Sequence, residues 1–287
     1  MRVLLLGSSG FIGREIAKLT PENTHLTGTY NSNKPENPQY ELMKLNLLSE
    51  NIDWNETISS YDYIIVAARA NSTEPKLRTE LSIRASKSFA NLIEAVTKHS
   101  GLKYLLVING SLSYGERGED LVYPDDQIDP IGFAKSYSVA EKPFIEYCTN
   151  GGRIGIVRAP WVLGNGSWFT QMYLQREKIP LIHQGKQWMS IVTVEELAKY
   201  VWKAVVEEKK GVLHPKLTYR CRQEGFANML AEVTGKPVKK QGRLKMARWD
   251  KQMRESILAS IRLDDGFDDE SENLEARQNL LSYLLEI

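Results

Sequence analysis

The 287-residue sequence is most informative first in what it lacks. Cysteine is scarce: Cys148 and Cys221 are the only two, with no C-x-x-C and no metal-ligand spacing. That excludes a disulfide scaffold and a cysteine-built zinc site, and suits two reduced, partly buried thiols in a reducing compartment. Histidine is equally thin, four residues scattered along the chain, so no metal site is expected. Excess charge is missing as well. The 37 basic and 36 acidic residues leave a net charge of +1, which provides no electrostatic footprint for nucleic acid or an anionic membrane. No apolar run approaches the roughly 20 residues that span a bilayer. Val3-Leu4-Leu5-Leu6 is too short for the apolar core of a signal peptide and runs straight into a glycine loop. The chain therefore reads as cytoplasmic.

What is present is the composition of a soluble globule, 42% hydrophobic and 25% charged, in a chain longer than one core usually needs. Short apolar runs alternate with helical patterns in the first half, which predicts βαβ units and a parallel sheet. Strands are expected over Arg2–Leu6, His25–Tyr30, Met43–Leu47, Tyr63–Ala68, Leu105–Asn109 and Arg153–Val162. Phe11–Leu19, Leu81–His99 and Phe133–Cys148 carry helical spacing. The second half is less regular. Asn165–Lys186 reads as loop-rich, Met189–Val192 as a strand, and Val194–Glu207, Ala247–Ile261 and Leu274–Leu285 as helices. A basic stretch covers 237–244 and an acidic loop 264–272. Trp249, Met253, Ile257 and Ile261 recur every four residues, a stripe that predicts a core-facing side.

Gly7-Ser8-Ser9-Gly10-Phe11-Ile12-Gly13 lies between the first strand and the first helix. In that context the glycines have separate tasks: a tight turn, close approach of backbone to a pyrophosphate, and close packing of helix on strand. The helix N-terminus adds free N–H groups and partial positive charge. Nicotinamide dinucleotide binding follows, through Gly7, Ser9, Gly10, Phe11, Ile12 and Gly13. After the second strand come Asn31, Ser32 and Lys34, with no Asp or Glu to accept from a ribose 2′-hydroxyl. These residues suit a 2′-phosphate, so NADP is favoured over NAD.

The GxxGxxG spacing resembles that of the extended short-chain dehydrogenase/reductase family, which includes sugar-nucleotide epimerases, dehydratases and reductases. Leu45-Asn46, Val66-Ala67-Ala68-Arg69-Ala70, Asn109-Gly110-Ser111-Leu112-Ser113-Tyr114-Gly115, Arg158-Ala159-Pro160-Trp161-Val162-Leu163-Gly164, and Gly185-Lys186 followed by Ile191–Ala198 resemble successive family motifs in order. The resemblance implies an α/β fold: a Rossmann-type doubly wound parallel sheet over 1–164 and 190–215, with a smaller C-terminal substrate lobe over 165–189 and 216–287. It adds Asn46, Ala67, Ala68, Arg69 and Pro160 to the cofactor site. It also implies a small-molecule substrate and a monomer or homodimer.

One family motif departs. Members carry Tyr-x-x-x-Lys on the helix after the fifth strand, because residues four apart share a helical face and the lysine lowers the tyrosine pKa. The best register here places Phe133 at the tyrosine and Tyr137 at the lysine, with Ser136, Ala140 and Glu141 matching. No other register restores the pair, since Tyr137 and Lys142 are turned about 140° apart. Three readings stay open. Tyr137 acts as a displaced acid or ribose ligand; another phenol, Tyr114 or Tyr123, replaces it; or the protein binds dinucleotide without redox turnover. Ser111 is the better serine candidate, Gly110 standing at the usual position. Trp161, Asn165, Trp168, Phe169, Met172 and Trp188 suit a planar or hydrophobic ligand, whereas Arg158, Lys186 and Arg222 suit a phosphate, and His183 is a further possible ligand contact.

Overall fold

A computed structural model describes residues 1–70, 72, 74–242, 246–266 and 273–287. Residues 243, 244 and 267–272, parts of the basic and acidic stretches, lie outside the described residues. The chain runs β1 (Arg2–Leu6), α1 (Phe11–Lys18), β2 (His25–Tyr30), β3 (Glu41–Lys44), α2 (Trp54–Ile58), β4 (Tyr63–Val66), α3 (Pro75–Lys98) and β5 (Tyr104–Gly110). A 3₁₀ turn (Ser111–Tyr114) leads to β6 (Leu121–Val122), α4 (Ala134–Thr149), β7 (Ile154–Ala159) and β8 (Trp161–Leu163). Next come α5 (Trp168–Leu174), β9 (Ile179–Ile182), β10 (Trp188–Thr193), α6 (Val194–Val206) and β11 (Gly211–Leu213). The chain closes with β12 (Tyr219–Arg222), α7 (Gln223–Thr234), β13 (Val238–Gln241), α8 (Lys251–Leu258), β14 (Arg262–Leu263) and α9 (Asn273–Glu286).

Two compact units result. The first comprises 1–109, 135–158 and 198–213; the second comprises 110–134, 159–197 and 214–287. In the first, a seven-stranded parallel sheet of Rossmann type has the order β11-β7-β5-β4-β1-β2-β3. Val3, Leu4, Leu5 and Leu6 of β1 are fully buried on both faces, as a central parallel strand requires. Strand order reverses at β1, which pairs with β2 on one side and β4 on the other. Ligands of open α/β sheets bind at the carboxyl ends of strands where the order reverses. The segments that emerge there are the glycine loop and 67–70.

Local chemistry accounts for several element ends. Pro75 opens α3, where its missing N–H costs nothing. Asp53 caps α2 by accepting from Glu56 N–H, and Asp250 caps α8 by accepting from Met253 N–H. Gly235, left-handed at φ 67°, ends α7.

The second unit departs from the sequence expectation. Residues 165–186 hold α5 and β9 rather than a loop, and α7 was not foreseen. The strand expected over 153–162 breaks into β7 and β8, because β8 leaves the large sheet to pair with β10, and β10 pairs antiparallel with β12. Residues 159–164 and 190–197 thus belong to the second unit, as do 110–134, whose β6 pairs with β14. The helix expected over 247–261 spans only Lys251–Leu258. Ile257 enters the core with Trp249 and Met253 packed against it, while Ile261 joins a separate cluster around Tyr114 and Leu263.

Candidate functional site

The three loop glycines are required for different reasons. Gly7 sits at φ +90°, and a Cβ there would lie 2.7 Å from Ala68 Cα, against backbone that cannot yield. At Gly13 a Cβ would collide with the carbonyl of Gly7, coming within 2.8 Å of its carbon. The fold itself demands both. Gly10 differs: its φ is an ordinary −77°, it is exposed, and a Cβ would meet only Gly7 O, at 3.3 Å. That contact is tight but involves a single atom, so the chain's own packing asks less of glycine here than at Gly7 or Gly13.

Gly10 is also the N-cap of α1, with no side-chain cap, so first-turn N–H groups are left to a ligand. Phe11 and Ile12 are half-buried there. The loop is held to β2 through Thr29: Gly7 N–H donates to Thr29 Oγ1 at 2.9 Å, and buried Ser8 Oγ donates to Thr29 O at 3.0 Å. Ser9 is half-buried beside it. An anion held by a backbone cradle fits this arrangement, and so do the residues around it. Asn31, Ser32 and Lys34 are exposed after β2. Asn46 is exposed after β3, its Oδ1 accepting from Leu48 N–H at 3.0 Å. Ala67 and Ala68 are half-buried after β4.

A small cleft of about 30 Å³ opens in the same unit, lined among others by Val66, Ala68, Arg69, Asn109, Tyr137, Glu141 and Phe144. Tyr137 is 7% exposed. The Arg69 guanidinium lies 4.1 Å from the centre of its ring, and Arg69 Nη2 donates weakly to Asn109 Oδ1 at 3.5 Å. Asn109, absent from the sequence-based set, was present only inside a motif resemblance. Its place at the end of β5 was the available signal.

Glu141, one turn beyond Tyr137, forms an ion pair with Arg158, both side chains 1% exposed. This corrects the suggestion that Arg158 clasps a phosphate: it is sealed in the first unit and neutralised. Arg222, another suggested phosphate ligand, is paired with Glu119, whose carboxyl is held down to about 2 by hydrogen bonds from Arg222 and Trp188.

The remaining candidates belong to the second unit. Ser111 is buried in the 3₁₀ turn, and Pro160 is buried between β7 and β8. Tyr114 is fully buried. Its hydroxyl is 2.7 Å from His214 Nε2 and 3.1 Å from Pro124 O, while His214 Nδ1 is 2.6 Å from Asp264 O. That network ties Tyr114 into the packing of its own unit. Tyr123 is 47% exposed. Phe133 stands in the turn before α4 rather than in the helix. Its N–H donates to Ser256 Oγ at 2.9 Å, and its ring meets Trp168 edge-on at 5.8 Å. Gly132, at φ +58°, lets that turn lie against α8, where a Cβ would come within 2.7 Å of Gln252 O. Trp161 stacks on Phe169 at 4.4 Å, and Phe169 stacks on Phe226, so most of the expected aromatic surface is internal packing; Trp168 stays 46% exposed. His183 follows β9 with a positive φ of 56°. Cys221 is buried and its thiol is pushed up to about 12 by desolvation. Among the described residues no group of three His, Cys, Asp or Glu side chains converges as a metal site would need.

A seven-stranded parallel sheet with a glycine loop at its reversal point defines the Rossmann-type class of α/β proteins. The model of the NAD dependent epimerase/dehydratase family matches residues 3–216, and the chain belongs to that family. A search of curated proteins finds no match. Among solved structures, the human epimerase family protein SDR39U1 (isoform 2) with NADPH superimposes with a TM-score of 0.77 at 19% identity, covering 100% of this chain and 99% of that one. A dTDP-4-dehydrorhamnose reductase from Clostridium acetobutylicum gives 0.73 at 18%, covering all of both chains. The UDP-glucuronic acid 4-epimerase from Bacillus cereus, in complex with NAD, gives 0.70 at 19%, covering 85% and 86%. At these identities the likeness establishes the fold.

Proposed function

We propose that the protein is an NAD(P)-dependent oxidoreductase or isomerase acting on a small organic substrate, of the sugar-nucleotide or secondary-metabolite kind, in the cytoplasm, as a monomer or homodimer. The observation that carries this reading is Gly10, a glycine that the chain's own packing requires far less than Gly7 or Gly13, exposed at an uncapped helix N-terminus. A dinucleotide pyrophosphate against the backbone accounts for it.

In this reading Gly7, Ser9, Gly10, Phe11, Ile12 and Gly13 hold the pyrophosphate, and Asn46, Ala67, Ala68 and Pro160 complete the cofactor's surroundings. Asn31, Ser32 and Lys34 receive a 2′-phosphate, which favours NADP. The bound cofactor would donate or accept a hydride; the chain must supply the proton in reduction and take it up in oxidation. Tyr137 holds it at its phenol, with the Arg69 guanidinium 4.1 Å from the centre of its ring. Ser111 is kept as an orienting hydroxyl, and Tyr114 is the replacement acid if Tyr137 proves dispensable. The solved relatives, an epimerase and a reductase of nucleotide sugars among them, support this substrate class.

One observation favours a second reading, dinucleotide binding without turnover: Phe133 occupies the motif's tyrosine position and has no proton to give. NADPH consumption with a panel of ketones, together with product analysis of nucleotide sugars because an isomerase returns its cofactor unchanged, separates the two when run on the unaltered protein and Tyr137→Phe. Turnover abolished by Tyr137→Phe supports the enzyme. Binding without turnover on any substrate supports the sensor, and full activity in Tyr137→Phe moves the acid to Tyr114.

A further inference from the structure

Arg69 is a cation without an acid. Among the described residues its contacts are the Tyr137 ring and the amide oxygen of Asn109, and no carboxylate pairs with it. The acid that lines the same cleft, Glu141, is committed to Arg158. Arg69 also follows Ala68, whose Cα lies 2.7 Å from the place a Gly7 Cβ would take, so its loop abuts the pyrophosphate cradle. Its ring platform, Tyr137, is 7% exposed on α4, one turn before Glu141.

We infer that Arg69 provides the dinucleotide with a positive charge, delivered from the β4 loop and seated on the face of Tyr137. A guanidinium is flat: it stacks on an aromatic ring through its face and keeps edge N–H donors for phosphate and ribose oxygens. A lysine at 137 would set a second cation against Arg69, whereas a tyrosine turns that neighbour into a support. The ring of Tyr137 is thus a positioning element, separable from its hydroxyl. The inference rests on the dinucleotide reading above, and the partner chemistry is the nicotinamide-ribose and pyrophosphate half of the cofactor.

Calorimetry with two ligands tests it: NADPH, and adenosine 2′,5′-bisphosphate, which lacks that half. Arg69→Met should weaken NADPH about tenfold, as loss of one charged contact to an anion does, and leave the bisphosphate within about twofold. Arg69→Lys should fall between, since an ammonium carries the charge without the stacking plane. Tyr137→Phe keeps the ring and should bind NADPH normally. Tyr137→Ala should lose about as much as Arg69→Met, and the double variant little more than either, because the two act as one unit. Circular dichroism checks folding; should Tyr137→Ala misfold, Arg69→Met and Tyr137→Phe still decide. NADPH affinity unchanged in Arg69→Met, equal loss of both ligands, or multiplicative losses in the double variant each overturn the inference while the dinucleotide reading stands. An unaltered protein that binds neither ligand overturns both.

Discussion

Replacing Gly10 by valine separates what the fold needs from what a ligand needs. At φ −77° and ψ 167° the backbone is in the β region that valine prefers, and the new Cβ meets only Gly7 O, at 3.3 Å. Glycine is a better N-cap than valine, so the helix should lose up to about 1 kcal/mol, partly offset by the stiffer unfolded chain. For a chain of this size that is a fall in Tm of roughly 2–4 °C. Binding should suffer more. The branched side chain stands over the first-turn N–H groups, and losing one hydrogen bond to a charged phosphate costs about 1.5–3 kcal/mol, at least tenfold in NADPH affinity. Gly13→Ala is the contrasting control. Its Cβ collides with the Gly7 carbonyl, so α1 must move off β1, at a cost of about 3 kcal/mol in stability before any ligand is added. Thermal melts paired with calorimetry read both quantities. A folded Gly10→Val protein with undiminished NADPH affinity would refute the assignment of the loop.

Removing one partner of the buried Glu141–Arg158 pair, by Arg158→Met, should destabilise the protein by about 3–5 kcal/mol in urea unfolding, because a buried carboxylate loses its compensating cation. A loss below about 1 kcal/mol would mean that water reaches it. Asp62 is held down to about 2, first by the side-chain hydrogen bond from Arg2 and then by its backbone N–H. Its folded value lies below the unfolded one, so its contribution is complete above pH of about 4 and fades as pH falls toward 2. Asp62→Asn should cost under about 1 kcal/mol at pH 7 for this largely exposed pair, with the difference shrinking at pH 3; a constant difference contradicts the linkage. Lys34→Ala should narrow the NADPH-over-NADH preference by up to about 1 kcal/mol, and tighter NADH binding to the unaltered protein would reverse the reading of that loop.

Elements whose cause is local were legible from residues alone. The apolar runs of β1 and β2, the helical spacing of α1 and α6, and the glycines that join β1 to α1 each satisfy a steric or solvation rule within about ten residues. The second unit was less legible because its elements gain their stability from partners far along the chain. Residues 165–186 carry no strong period, yet β9 forms by pairing with β13 more than fifty residues later. Phe133 and Tyr137 looked like one catalytic face of a helix, but a turn held by Ser256 keeps Phe133 out of it. By itself the sequence determined the strand–glycine loop–helix turn, the parallel sheet and the absence of a tyrosine–lysine spacing on α4, because each is written in adjacent residues. Tertiary structure alone decided that Arg158 is spent on Glu141, that Tyr114 is tied to His214, and that Arg69 lies on Tyr137. Such meetings depend on which strands neighbour one another, and no local rule of spacing encodes that.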